Sequence, residues 1–454
     1  MSLSKRLENY AKSNMYPFHM PGHKRRLGGY YGIDMTEVEG VDDLHDPSDV
    51  IAEDEKRLAS LYGADEAFML VGGSTVGNLS AVYASVNEGD LILIQRNSHK
   101  SVYNAATLRH LQVGYIYPKV DENGIYAAAT LEEIQLAVDK ASKPVSAVVI
   151  TSPTYEGYYC EVEKIADYCH ENNIILIVDE AHGAHLGFHH EFPHQSAQAA
   201  DITITSLHKT LPSLTQTAAM LVNKTRVDVR KMREALDIFE TSSPSYVLMD
   251  AISRCIDIME KSTDYFDEYV DNLTDFYKIS GKLKHIKIID ENSQLKDKGK
   301  LVISTKNAGI TGVELAKLLR EKYELETELS SFSYLLAMTS IMDSKDGFER
   351  LKKALIEIDE NLADGEICVP ITKVLKPNKK LELWEAKNAN GEELEIEKAS
   401  GRISTSMVCL YPPGAPVIVP GEEITEEAVS IIISSMNEGI HVTGLNNGRI
   451  CVVK

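Results

Sequence analysis

Ser206-Leu207-His208-Lys209-Thr210-Leu211-Pro212-Ser213-Leu214-Thr215-Gln216-Thr217-Ala218 follows the alternating run Ile202-Thr203-Ile204-Thr205. That alternation reads as a strand, so Lys209 falls just beyond a strand's carboxyl end. Open α/β sheets gather ligand chemistry at such ends. A lysine placed there attacks a carbonyl once its ammonium loses a proton, which desolvation or a flanking cation favours. His208 is the flanking group. Alone, Ser-Leu-His-Lys reads as well for a solvated loop, and the catalytic reading depends on what stands at other strand ends.

Outward from this stretch the pattern repeats. Asp90-Leu91-Ile92-Leu93-Ile94-Gln95 runs into Arg96-Asn97-Ser98-His99-Lys100-Ser101, and Val145 to Ile150 runs into Thr151-Ser152-Pro153-Thr154-Tyr155. Asn173 to Val178 runs into Asp179-Glu180-Ala181-His182-Gly183-Ala184-His185, and Ala218 to Val222 completes the set. Continuous apolar runs alternating with helical stretches indicate parallel strands covered on both faces. His99, Tyr155, Asp179 with His182, and His208 with Lys209 thus stand at four strand ends, a convergence that defines a pocket. Earlier, Phe68-Met69-Leu70-Val71 leads into Gly72-Gly73-Ser74-Thr75 and then a helix with Leu79, Val82, Tyr83 and Val86 on one face. Strand, glycine pair, two hydroxyls and helix start bring amide donors and a positive helix end to one point, which suits a phosphate. The same residues also serve as a simple helix cap.

Composition narrows the function classes. The chain has 454 residues, 43% apolar and 25% charged, with a formal net charge of −21. It reads as an ordinary globular protein, and the acidity argues against a nucleic-acid surface. The six cysteines are scattered without a Cys-x-x-Cys pair, and no apolar run reaches membrane-spanning length. A reduced, cytoplasmic setting with no membrane contact is the expectation. His182, His185, His189, His190 and His194 form no His-Glu-x-x-His motif, so no metal site is expected. The expected organisation is an irregular arm over 1–47, a large domain over 48–280, a small α/β domain over 281–366 and a further region over 367–454.

An amine, an acid at a buried strand's end and a phosphate cradle together suggest pyridoxal 5'-phosphate (PLP). Lys209 supplies the amine and Asp179 the anion that keeps the pyridine nitrogen protonated. Gly73, Ser74 and Thr75 suit the phosphate, and His99 is placed to cover a ring face.

Further motifs are PGHK at Pro21 to Lys24, DDLHDP at Asp42 to Pro47, TSSPSY at Thr241 to Tyr246 and YPPGAPVIVPGE at Tyr411 to Glu422. With RNSHKS, DEAHGAH and SLHKTLPSLTQTA they make the chain resemble, over nearly its whole length, the Orn/Lys/Arg decarboxylase family in its shorter form without the wing domain. The resemblance implies fold type I, the aspartate-aminotransferase-like α/β fold with a mostly parallel sheet, followed by a smaller C-terminal α/β region. It implies PLP-dependent decarboxylation of a basic amino acid, arginine or lysine ahead of ornithine. Lys209 would be the Schiff-base lysine, with Ser206 and His208 beside the phosphate. Asp179 would pair with the ring nitrogen, His99 would stack on the ring, and Ala181 and His182 would flank it. Either Lys209 or His208 would protonate the α-carbon. TSSPSY would approach a cofactor across the interface of a homodimer or dimer of dimers. The chain departs from the family pattern at Gly72, where an asparagine is usual, and at Ser406, where short members carry a glutamate. An aminotransferase or other lyase of the same fold is the alternative within the cofactor class, and a catalytically silent regulator or metal-binding protein the alternative outside it.

Overall fold

In the computed structural model, Asp42 determines where the first long helix begins. Its carboxylate accepts the backbone N–H groups of Asp43, Ser48, Asp49 and Ile51 at 2.9–3.1 Å. Burial opposes that charge, yet the four amides hold the carboxyl below its ordinary pKa. The helix runs Val50–Tyr62, and amides at its start are satisfied by Asp42 from a distance, with no side-chain bond from its own N-cap, Asp49. DDLHDP is accordingly turn chemistry built on a half-buried acceptor.

The structure describes every residue except 290–292, 294, 370–372 and 412–413, so Pro412 and Pro413 of the YPPGAPVIVPGE motif lie outside the described residues. Seven strands carry the main sheet segments: β1 (Glu66–Leu70), β2 (Leu91–Gln95), β3 (Gln112–Ile116), β4 (Val145–Thr151), β5 (Ile175–Asp179), β6 (Ile202–Thr205) and β7 (Ala218–Val222). The chain forms two compact units, Met1–Val86 with Val162–Asp267, and Asn87–Glu161 with Glu268–Lys454.

In the first unit the strand order is β1, β7, β6, β5. β5 and β6 are parallel, but β7 runs antiparallel to both β6 and β1, contrary to an all-parallel reading of the apolar runs. The reason lies in the connection. Residues 206–217 make one helical turn and a loop, without the helical crossover that returns a chain to a parallel neighbour. The helix Gly73–Ser85 packs on β1, β5, β6 and β7 and on the helix Val229–Phe239. It is enclosed on more than one side, so its buried residues are Val76, Gly77, Asn78, Ser80, Ala81 and Val82. Leu79 and Tyr83 are only half-buried; the Tyr83 ring meets Phe239 edge-on at 5.4 Å.

The second unit holds β4, β2 and β3 as parallel neighbours. β3 escapes the sequence pattern because Gly114 interrupts its apolar run. A four-stranded antiparallel sheet follows, with Tyr334–Met338 and Lys300–Ser304 at its centre. Thr311 and Glu314 form a capping box at the start of the helix Gly312–Tyr323. The last section joins the sheet strands Val408–Tyr411 and Ala415–Ile418 to the helix Glu426–Asn437 around a core of Val408, Ile418, Ile432 and Ile450. The charge run from Glu392 lies on the strand Gly391–Glu395, paired with Arg449–Val453 and alternating between exposed and half-buried residues. Arg96, after β2, is buried in a two-pronged pair with Glu422 at 2.8 and 2.9 Å, with Tyr115 beneath its guanidinium. Among the described residues no helix is long and apolar enough to cross a membrane.

Candidate active site

Asp179 is the last residue of β5, and Glu180 continues it by donating its N–H to Ile204 O of β6 at 2.8 Å. The side chain of Asp179 is buried at the strand's carboxyl end. One oxygen accepts the Ala181 N–H at 3.1 Å and the other the Asn78 amide at 2.9 Å. Asn78 stands on the helix Gly73–Ser85, one turn beyond Ser74 and on the same face. That helix therefore presents both a hydroxyl at its amino end and a support for the acid.

The amino end has the form a phosphate requires. Gly72 is its N-cap and no side chain caps it; Gly73 adopts φ +73°, a left-handed conformation that glycine accepts without strain. Ser74 and Thr75 thus sit in the first turn and do not serve as the cap. Ser74 Oγ lies 2.6 Å from Ser206 Oγ, which brings the residue before the lysine turn to the same helix end.

Leu207–Thr210 is a single helical turn anchored by the buried Leu207 and Thr210. The two residues between them, His208 and Lys209, are half-buried. Lys209 Nζ lies 2.9 Å from His182 Nε2, so the amine meets the DEAHGAH segment. His208 turns to the other side of its own loop, where Nδ1 donates to Thr217 O at 2.8 Å. Burial, with the neighbouring Lys209 cation in support, pushes the His208 pKa below the ordinary histidine value against the pull of that carbonyl. A neutral His208 is a positioned donor to its loop.

Gly73, Ser74, Thr75, Asp179, Ala181, His182, Ser206, His208 and Lys209 all belong to the first unit. His99 belongs to the second. It is the N-cap of the helix Lys100–Leu108, accepting Ser101 N–H at 3.3 Å, and Tyr155, also in the second unit, bonds Glu328. Among the described residues no cluster of three or more His, Cys, Asp or Glu side chains could hold a metal ion. His185 packs edge-on against Phe192, His189 pairs with Asp267 at 3.3 Å, and His190 and His194 are exposed.

The family model for the major domain of Orn/Lys/Arg decarboxylases matches residues 2–302, and that for the C-terminal domain matches 370–438. The chain belongs to the Orn/Lys/Arg decarboxylase family. An arginine decarboxylase of Bacillus subtilis (strain 168) is 31% identical over 475 residues, covering 99% of this chain and 96% of its own. The lysine decarboxylase LdcF of Francisella novicida has a TM-score of 0.86 at 18% identity, over 100% of this chain and 81% of that one. A Sphingomonas wittichii serine palmitoyltransferase has a TM-score of 0.55 at 14% identity, over 68% of this chain and 75% of its own. The fold is the fold type I α/β fold implied by the motifs, and the protein is an amino-acid decarboxylase acting on a basic amino acid.

Within the decarboxylase the two adjacent acids of DEAHGAH have opposite environments. Glu180 is fully buried and its Oε2 accepts the Ser196 N–H at 2.9 Å; burial pushes its pKa up to about 8, against the pull of Ser196. Asp179, with two donors, is the acid equipped to carry charge. The contrast yields a stability test. Glu180 is protonated in the folded protein up to about pH 8, whereas its unfolded value is 4.5, so the folded state binds the extra proton between them. Its contribution is complete below pH 4.5 and declines as pH rises through about 8. Glu180→Gln is expected to gain stability over the parent progressively from pH 5 to 8, on the order of a few kcal/mol, with the difference levelling above that. Urea unfolding midpoints at several pH values check this; a pH-independent difference would show that Glu180 does not titrate in that range.

Proposed function

We propose that this chain decarboxylates L-arginine with PLP bound in its first unit. The observation that carries the chemistry is the meeting of Lys209 Nζ with His182 at 2.9 Å in the unit that also holds the doubly supported Asp179 and the open helix end at Gly73. The donor set fits the cofactor: an amine, a buried carboxylate, and a glycine-led helix start with two facing hydroxyls. Gly73, Ser74, Thr75 and Ser206 would hold the phosphate, Asp179 the pyridine nitrogen, Lys209 the carbonyl carbon, and Ala181 and His182 the ring's surroundings. His99 enters the proposal from the sequence alone, as the imidazole of RNSHKS. When bound, PLP supplies an electrophilic carbon and a conjugated ring that takes up the electron pair released as CO2 departs.

The protein's own contributions follow from its contacts. The Asp179 carboxylate would keep the pyridine nitrogen protonated, and Asn78 with the Ala181 N–H prevents that carboxylate from turning. Lys209 is the amine that carries a proton to the substrate α-carbon, with the His182 imidazole as its proton partner. His208, already engaged with Thr217 O, orients the lysine turn instead of delivering the proton.

Arginine stands ahead of lysine because arginine decarboxylases of Bacillus subtilis and Halalkalibacterium halodurans match over 99% and 96% of the chain. Both arginine enzymes are 31% identical to it, whereas the lysine decarboxylase LdcA of Pseudomonas aeruginosa is 26% identical over 56% of it and the constitutive lysine decarboxylase of Escherichia coli (strain K12) 22% identical over 94%. A panel of arginine, lysine and ornithine, with CO2 and the product amine both measured, is expected to show arginine turned over fastest. Release of a keto acid without CO2 would replace this reading with transamination. We further infer a homodimer or dimer of dimers, with Thr241 to Tyr246 near the partner's site; a monomeric mass by light scattering would remove it.

A further inference from the structure

The carboxylate of Glu240 lies directly behind the glycine pair that leads into the helix Gly73–Ser85. Glu240 is the C-cap of the helix Val229–Phe239 and is buried. Its Oε2 accepts the Val71 N–H at 3.3 Å, at the end of the strand that feeds the loop. Its Oε1 is fully buried and finds no hydrogen-bond partner among the described residues. A methyl group added to Gly72 would lie 2.8 Å from that oxygen and would collide with Val76 Cγ2. Glu240 and Val76 therefore occupy the space that any side chain at position 72 would need. Burial raises the Glu240 pKa, while the amides of Gly72, Val71 and Thr241 favour its charged form.

The acid is braced from the far side. His45 of DDLHDP places Nδ1 3.0 Å from Asp237 and Nε2 2.9 Å from Thr241 O, gripping the chain before and after Glu240. Arg233, on the same helix, holds Glu55 at 3.2 Å, and Glu55 accepts the Met69 N–H of β1 at 3.1 Å. The helix is thereby tied to β1 from its middle, through Arg233 and Glu55, and to the loop after β1 from its end, through Glu240.

We propose that Glu240 is a positioning residue for the phosphate loop: it holds the Val71 amide and fills the space over Gly72, so that the amides of Gly73, Ser74 and Thr75 stay turned outward to accept a phosphate dianion. This rests on the reading of that loop as the PLP phosphate site. Without the carboxylate the Val71 amide loses its acceptor and the glycine pair, free of side chains, samples other turns. The loss falls on phosphate recognition alone, because a loop that has relaxed still leaves the amine and the acid in place.

The test compares two ligands on the apo form of the full chain, PLP and pyridoxal, which lacks the phosphate, by absorbance titration. Glu240→Ala is expected to weaken PLP by about tenfold or more, the loss of one hydrogen bond from a charged group. Pyridoxal should bind it as it binds the parent. Glu240→Gln, which keeps an acceptor oxygen for Val71, is expected to recover most of the PLP affinity. Should Glu240→Ala not fold, Glu240→Asp, which withdraws the carboxylate by one methylene, carries the same expectation. Equal weakening of both ligands, no weakening of either, or failure of Gln to rescue would each overturn the proposal. If the parent itself binds PLP no better than pyridoxal, the phosphate-site reading fails first and takes the proposal with it, a result read on unmodified protein and distinct from any variant's behaviour.

Discussion

Lys209→Ala protein is expected to fold normally, to lose its covalent hold on PLP and to turn over its substrate at least about 10³-fold more slowly, the scale on which removal of a covalent catalyst is felt. Normal folding follows from the anchoring of the lysine turn by its neighbours. Leu207 and Thr210 are buried and Leu211 N–H closes the turn on Leu207 O at 2.9 Å, so truncating the half-buried side chain between them removes little packing. Borohydride reduction followed by peptide mass analysis checks the linkage: the parent should carry the reduced cofactor on the peptide containing position 209, and the variant should carry none. A labelled Lys209→Ala protein would mean that another amine does the work. Lys209→Arg separates the two things a lysine offers, since a guanidinium keeps the positive charge but does not deprotonate near neutrality to become a nucleophile. It should be as inactive as the alanine variant. Activity restored by arginine would show that Lys209 acts through charge alone.

The strands were legible because each is a short, nearly continuous apolar run, and a run buried on both faces leaves few alternatives to a covered sheet. Their directions were not. Ala218 to Val222 is as apolar and buried as its parallel companions, and the form of the preceding 206–217 connection determines that it runs antiparallel. At the site, the sequence pointed to Lys209 and Asp179 by their place after apolar runs. It offered no sign that Lys209 reaches His182 while His208 faces Thr217, because that depends on which way a single helical turn is rotated. Asn78 was within reach, since Ser74 and Asn78 are four residues apart on a helix whose other residues are mostly apolar. Glu240 was not. It is one acid among many near a helix end, and its meaning comes from the Val71 amide 169 residues away. Asp42 has the same character, a residue whose local sequence says turn and whose long reach caps a helix beginning several residues later. Local propensity finds elements; the carboxylates that hold one element against another are fixed by tertiary packing.

Asp179→Asn is expected to retain PLP yet lose about 10²- to 10³-fold in turnover, the equivalent of two or three pKa units of charge stabilisation at the ring nitrogen. The contacts of Asp179 explain why so small a change is costly. Both oxygens accept N–H groups, one from Ala181 and one from Asn78. An asparagine presents one oxygen and one NH2, so whichever way it flips it sets a donor against a donor, at about 1–3 kcal/mol. Asn78→Ala isolates the support from the charge: it removes one donor while Asp179 keeps its carboxylate, and a turnover loss well below that of Asp179→Asn is expected. The visible absorbance of the bound cofactor, followed against pH, distinguishes the two causes. In Asp179→Asn the ring nitrogen should lose its proton at lower pH than in the parent, while in Asn78→Ala it should remain close to the parent. If Asp179→Asn turned over at near-parental rates with an unchanged spectrum, the negative charge at this strand end would have no part in stabilising the electron pair left by CO2, and the acid would be only a buried link between the helix that bears Ser74 and the chain leaving β5.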